Sequence, residues 1–351
     1  MNSCTRCGHI PDLPDKGQLL VRVKEEHKMM KLITRLQHEK FTYIVNENDI
    51  FYIEYAGKEE LLQLLEQLDA ELLLSEEVQA TYSAYGEEHF ARFIPYVQLR
   101  ERIMQWPLVK VINEGLFTQH IQPVIKLQTN DVYGYEFLVR PTPPHLSFNP
   151  GSLFSFSQKA GLQSILDSQA RISSIEISSK LLENGMKRFI NFLPSSIYDP
   201  AHCLKSTLKA VERHQIRPED LVFEVVETEK IHDVNHLKKI FTVYQSEGIH
   251  VALDDLGAGY ATVDVLKELK PNFAKIDRAI IDYCDQNEIK QAKIKEIVSV
   301  ADAYGITLLA EGIERMEEAE FCLDLKIPLA QGYYFGRPQK NPVTNVYPYA
   351  N

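Results

Sequence analysis

Positive charge is in short supply in this sequence. Against 49 acidic residues stand 38 lysines and arginines, a formal net charge of −11 over 351 residues. Such a chain has no general attraction for nucleic-acid backbones or anionic membranes, so neither is expected as a partner. A phosphate-bearing substrate would have to find its counter-charge in local basic groups or metal ions. Long apolar runs are missing as well: no stretch approaches the ~20 residues that span a bilayer. The opening segment, MNSCTRCGHIPDLPDKG, has no apolar core of a signal peptide. Cysteine is scarce and odd in number (Cys4, Cys7, Cys203, Cys284 and Cys322), which fits a reducing compartment better than a disulfide framework. A cytoplasmic protein is expected. Cys4 and Cys7, with His9 nearby, have zinc-knuckle spacing, but a closed Zn²⁺ site needs four ligands and the chain has no second CxxC. A reduced, flexible pair is the favoured reading of residues 1–15, a polar tail.

What remains is ordinary globular composition, 44% apolar and 25% charged, enough for a substantial core. The length suggests two domains. Residues 16–78 read as βαββαβ. A strand at QLLVRV is followed by a helix at EEHKMMKLITRLQHE, a hairpin from FTYIV to IFYIEY, a helix at KEELLQLLEQL and a last strand at AELLL. That is the ferredoxin-like order. The segment has no cluster of catalytic residue types, so a regulatory or dimerisation module is expected. Residues 79–104 are poorly periodic and are read as a linker and connecting helix.

From 105 to 347 short apolar strands alternate with helical segments: FTQHIQPVIKL, YGYEFLVR, RFINFLP, LVFEVVE, HVALDDL, FAKID, TLLAEGI and LAQGYYF. Eight strands with helical crossovers point to an α/β fold, a (β/α)8 TIM-like barrel. The tight QTND connection between the first two strands makes one strand antiparallel, so the barrel is a modified one.

In such barrels polar residues at carboxyl strand ends carry the chemistry. Here Glu136, Asn191, Glu224, Glu227, Asp254, Asp255, Lys275, Asp277, Glu311, Glu314 and Gln331 all fall at or just beyond strand ends. Any one acid there is most often a solvated cap or salt-bridge partner. The joint pattern is much harder to reach by accident. Crowded carboxylates must bind cations or take up protons. Hard oxygen donors without His or Cys select Mg²⁺ or Mn²⁺ over Zn²⁺. Two adjacent aspartates suit a pair of ions, one bridging both and its neighbour completing the ligand set of the second ion, the arrangement used for in-line displacement at phosphorus.

The ordered set EFLVR (Glu136–Arg140), IQP (121–123), FINFLPSSI (189–197), FEVVE (223–227), DDLGAGYA, KID, EGIE and QGYYFGRP resembles the EAL domain, the bacterial cyclic di-GMP phosphodiesterase family. The resemblance implies hydrolysis of cyclic di-GMP to linear 5′-pGpG with two Mg²⁺ or Mn²⁺ ions, in a homodimer formed through the EAL domain. By position, it implies that Glu136, Asn191, Glu224 and Asp254 hold one ion and Asp254, Asp255 and Glu311 the other. Lys275 then holds the attacking water, Glu227 braces the Asp-Asp loop, and Glu314 and Gln331 orient water or substrate. Gln122, Glu136, Leu138, Arg140 and Asp277 are the expected substrate contacts. Two departures stand out. Phe137 replaces the usual alanine, and should face away from Glu136 because side chains alternate along a strand. Ser157 and Gln158 stand where Ala-Glu is usual, a change that bears on contacts to one guanine. Relatives that only bind cyclic di-GMP, the rival reading, lose a metal ligand, the lysine or the Asp pair; none is lost here.

Overall fold

The computed structural model describes residues 9–72, 77–86, 92–225, 234–259 and 261–343. The chain divides into two compact units, residues 1–116 with 141–166, and residues 117–140 with 167–351. Cys4 and Cys7 lie outside the described residues. Among the described residues no helix is long and apolar enough to cross a membrane.

The first unit carries a five-stranded sheet of β1 (Gly17–Arg22), β2 (Tyr43–Val45), β3 (Ile50–Tyr55), β4 (Gln79–Ala84) and β5 (Ile94–Pro95), in the order β2-β3-β1-β4-β5. β1 lies between β3 and β4, antiparallel to both. With the helices Glu26–His38 and Lys58–Leu72 this is the expected βαββαβ topology plus a short fifth strand. The last strand is not where the sequence suggested. AELLL begins inside the second helix, because Leu61, Leu64, Leu65, Leu68 and Leu72 continue one buried stripe at helical spacing. The strand is instead Gln79–Ala84, paired with β1 over six residues. The module therefore runs beyond 78, and residues 79–84 belong to its sheet, not to a linker. The helix Tyr96–Met104 follows, within the span read as connecting.

The second unit is a closed barrel of β6 (Phe117–Lys126), β7 (Val132–Pro141), β8 (Lys187–Phe192), β9 (Leu221–Val225), β10 (His250–Leu256), β11 (Phe273–Ile276), β12 (Thr307–Ala310) and β13 (Leu329–Ala330). β7 to β13 are parallel neighbour to neighbour, and β6 pairs antiparallel with β13, so β6 is the one reversed strand. The turn between β6 and β7 is closed by Lys126 N–H to the Asp131 carbonyl (2.9 Å).

Inside the barrel, Val124, Phe189, Val222, Ala252, Phe273, Leu309 and Leu329 form one buried apolar layer. Strand side chains repeat with period two. Two residues further along each parallel strand stand Asn191, Glu224, Asp254, Lys275, Glu311 and Gln331. On reversed β6 the same step taken backwards gives Gln122. On β7 the floor position is Gly134, where a Cβ would sit 2.3 Å from the Lys187 carbonyl oxygen, and two residues on comes Glu136. The apolar floor thus fixes which face each polar residue shows. Phe137 is buried in the core cluster with Tyr135 and Ile190, on the opposite face of β7 from Glu136, as its register requires.

Candidate active site

Lys275 Nζ, fully buried, stands 2.7 Å from Glu311 Oε1, 3.2 Å from Glu224 Oε1, 3.3 Å from Asp254 Oδ1 and 3.8 Å from Glu136 Oε1. Burial alone would lower its pKa, yet Asp254, Glu136, Glu224 and Glu311 together hold it well above the ordinary lysine value. Glu136 accepts from Asn191 Nδ2 (3.0 Å) and Gln331 Nε2 (2.7 Å), which ties β7, β8 and β13 together at the rim. Asn191 and Glu224 are register partners on β8 and β9.

The two aspartates need a local device, since consecutive strand residues face opposite ways. The β10–β11 register shifts between Leu253 and Leu256, and Asp255 has φ +52°, in the left-handed region that is uncommon for a residue with a Cβ. The break lets both side chains serve the same rim. Oxygens of Asp254, Asp255 and Glu311 lie within 4.8 Å of one another. Asp254 Oδ1 also accepts from the Asp255 amide (2.9 Å).

The electrostatics call for cations. Four carboxylates surround one ammonium, and Asp255 lies beside two of them. Burial, then repulsion by Glu136 and Asp254, pushes Glu224 well above the usual carboxylate range against the pull of Lys275. Glu311 is raised by burial first and then by Asp254. Asp255 is pushed up to about 7 by burial, Asp254 and Asp277. Neither oxygen of fully buried Glu224 has a hydrogen bond of good geometry among the described residues, although Lys275 Nζ is 3.2 Å from one of them. Orphaned carboxylate oxygens in an all-oxygen donor set fit a hard divalent cation.

The other expected residues take different places. Gln122, Glu136, Glu311, Glu314 and Gln331 line an open cleft of about 150 Å³. Gln122 Nε2 donates to the Gly336 carbonyl (3.1 Å). Asp277 caps the short helix Arg278–Ile281 by accepting from the Ala279 amide (2.7 Å), and touches Asp255. Leu138 is half-buried on β7, on the same face as Glu136. Arg140 stands apart from the cluster, its Nη1 donating to the Val139 carbonyl (2.8 Å). Glu227 lies outside the described residues. Ser157 is buried with its hydroxyl donating to the Phe154 carbonyl (2.7 Å), a local helix bond.

Sequence reasoning missed Arg278. It lines the cleft and pairs with Glu314 (2.8 Å), both side chains roughly half-exposed. The signal was the glycine in EGIE. A Cβ on Gly312 would meet Arg278 Cγ at 2.3 Å, so the arginine stem lies against bare backbone. Gly312 also has φ +69°. Gly312→Ala is therefore expected to destabilise by about 1–3 kcal/mol in urea unfolding. Gly305→Ala has the same sign of φ and open space around the Cβ, and should cost about 1 kcal/mol. Equal losses in the two variants would show that Arg278 does not need the gap.

Comparison with known proteins bears on this rim. Residues 108–338 match the family model for the EAL domain, about two thirds of the chain. The chain belongs to the EAL domain family. Its relatives include the probable cyclic di-GMP phosphodiesterase PdeG of Escherichia coli K12, 29% identical over 237 residues, covering 66% of this chain and 46% of that protein. The cyclic di-GMP phosphodiesterase RocR of Pseudomonas aeruginosa is 29% identical over 234 residues, 66% of this chain and 59% of RocR. The chain thus spans about half the length of these relatives. Among solved structures, a standalone EAL protein of Vibrio cholerae O395 in its c-di-GMP-bound form has TM-score 0.59 and 33% identity, covering 65% of this chain and 95% of that one. Klebsiella pneumoniae BlrP1, solved with manganese and c-di-GMP, has TM-score 0.59 and covers 92% of this chain and 96% of its own; at 19% identity it supports the fold alone.

Proposed function

We propose that this EAL protein is a metal-dependent phosphodiesterase that opens cyclic di-GMP to linear 5′-pGpG. The observation that carries the reading is the rim itself: four carboxylates held around one buried ammonium, with Glu224 Oε2 unpartnered among the described residues, in a family whose relatives are named for that substrate. Glu136, Asn191, Glu224 and Asp254 would hold one Mg²⁺ or Mn²⁺, and Asp254, Asp255 and Glu311 a second. Such ions stabilise charge on phosphoryl oxygens and acidify a bound water.

The chain's own residues do the rest. Lys275, kept charged by its carboxylates, donates hydrogen bonds to the attacking water and fixes its direction of approach. The water oxygen bonds to phosphorus, the P–O3′ bond breaks, and the 3′ oxygen takes up a proton, leaving a 5′-phosphate end. Gln331 and Glu136 are already joined, so the Gln331 amide, whose Oε1 is unpartnered among the described residues, is placed to orient water. Arg140 has the planar fork suited to phosphate oxygens. Glu227 is assigned a bracing role on the loop that follows Asp255. Dimerisation through the EAL domain and a regulatory role for the first unit belong to the same reading, as does a cytoplasmic location.

One assay tests it: purified protein, cyclic di-GMP, and Mg²⁺, Mn²⁺, Ca²⁺ or chelator, with products separated by chromatography. Mg²⁺ and Mn²⁺ are expected to give 5′-pGpG. Ca²⁺, with longer bonds and more ligands, should give none. Equal turnover in chelator would overturn the metal assignment.

A further inference from the structure

A buried polar knot lies behind β8, outside the rim. Asp167 and Arg171, one turn apart on the helix Gln163–Leu181, are 3% and 2% exposed. Arg171 Nη1 donates to Asp167 Oδ2, and Arg171 Nε lies 3.3 Å from Thr207 Oγ1. Asp167 Oδ1 accepts from the Leu193 amide at 2.8 Å, and Oδ2 accepts from the Ser196 hydroxyl. A buried ion pair of this kind adds little net stability over a well-packed apolar replacement. The fold alone gives it no purpose.

What the knot fixes is the turn after β8, which begins two residues beyond Asn191. Asn191 is held from inside by Glu136 at 3.0 Å. The next residue, Phe192, is held from outside, edge-on to Tyr244 (ring centres 5.6 Å apart), and Tyr244 itself stacks on Phe223 of β9 at 4.4 Å. The end of β8 is thus held by its ladder with β9, by a hydrogen bond at Asn191 and by ring packing at Phe192. Beyond the ladder, the backbone exit at Leu193 is held by Asp167. We propose that Asp167, held by Arg171, is a positioning residue: it sets the depth of Asn191 at the rim and through it the affinity of the site for a divalent cation. The proposal rests on the metal reading above. Asp167 touches neither ion nor substrate. Without its acceptor the buried Leu193 amide would have to rotate toward another partner, because an unpaired buried N–H is costly, and β8 would turn with it.

The test compares two double variants of the full chain that both remove the ion pair. Asp167→Asn/Arg171→Leu keeps an amide oxygen for the Leu193 N–H. Asp167→Leu/Arg171→Leu removes it. Mn²⁺ binding is measured by calorimetry. The first variant should bind within about threefold of the native protein and the second about 10- to 100-fold more weakly, the usual loss when a residue supporting a metal ligand is removed. At saturating Mn²⁺ the second variant should recover most of its kcat. Equal Mn²⁺ affinity in the two variants would overturn the positioning role, whatever their melting temperatures. Should the second variant fail to fold, Ser196→Ala probes the same turn more gently: weakened Mn²⁺ binding supports the proposal, and unchanged binding overturns it. A native protein that binds no Mn²⁺ would instead remove the metal reading, and this proposal with it.

Discussion

Replacing Lys275 by alanine is expected to lower cyclic di-GMP turnover by about 10³-fold, the scale of loss when one preorganised hydrogen-bond donor is removed from an active site. Binding of the dinucleotide should survive. The ammonium sits inside the carboxylate ring, 2.7 Å from Glu311 and 3.2 Å from Glu224, and does not line the open cleft. On the proposed reading, its loss would remove the group that directs water without removing the surfaces that hold the substrate. A second consequence follows from charge. In metal-free protein the variant leaves Glu136, Glu224, Asp254 and Glu311 with no cation among them, so its melting temperature should drop. Mn²⁺ should then raise the variant's melting temperature by more than it raises the native protein's. Single-turnover kinetics and ligand titration separate the roles. Lost binding with unchanged turnover per bound dinucleotide would contradict the assignment of Lys275.

The other large effect is expected at Asp254, the one side chain assigned to both ions. Asp254→Ala should bring turnover below detection, a loss of at least ~10⁴-fold, or about 5 kcal/mol of barrier. Calorimetry should find fewer than two Mn²⁺ per chain. Two ions bound with native affinity would sink the shared-ligand reading. Its neighbour makes an instructive contrast. Asp255 has φ +52°, which costs a residue with a Cβ roughly 1–2 kcal/mol. Asp255→Gly should therefore raise the unfolding free energy by about 1 kcal/mol while cutting activity. A variant that lost stability would show that Asp255 is held there by something stronger than backbone strain.

Most of the rim could be read from the sequence because strand period and apolar pattern are local. Once Phe189, Val222, Ala252, Phe273 and Leu309 are recognised as inward-facing, the residues two steps on must face inward too. The reversed first strand followed from a turn too short for a crossover. The fourth strand of the small sheet was harder. AELLL is apolar enough for either a strand or a helix, and only the stripe running back to Leu61 decides for the helix. Gln79–Ala84, half polar, gave no strong pattern of its own. Arg278 and Asp167 were out of reach for another reason. One owes its place to a missing Cβ on Gly312, beyond the end of the next strand, and the other to an amide on a different element. Contacts of that kind have no period: a lone glycine marks one of them, but its partner is named only when the chain is folded.

The apolar floor has a kinetic meaning. With Phe189, Phe273 and their neighbours sealing the barrel one step beneath the rim, there is no back door among the described residues. On the proposed function, ions, water and dinucleotide would then share the rim side of the barrel and would have to queue. An ion covered by a bound dinucleotide would leave only after it. A chelator added in mid-reaction should thus act with a lag set by product departure, and a slowly released linear product would shield the ions from it.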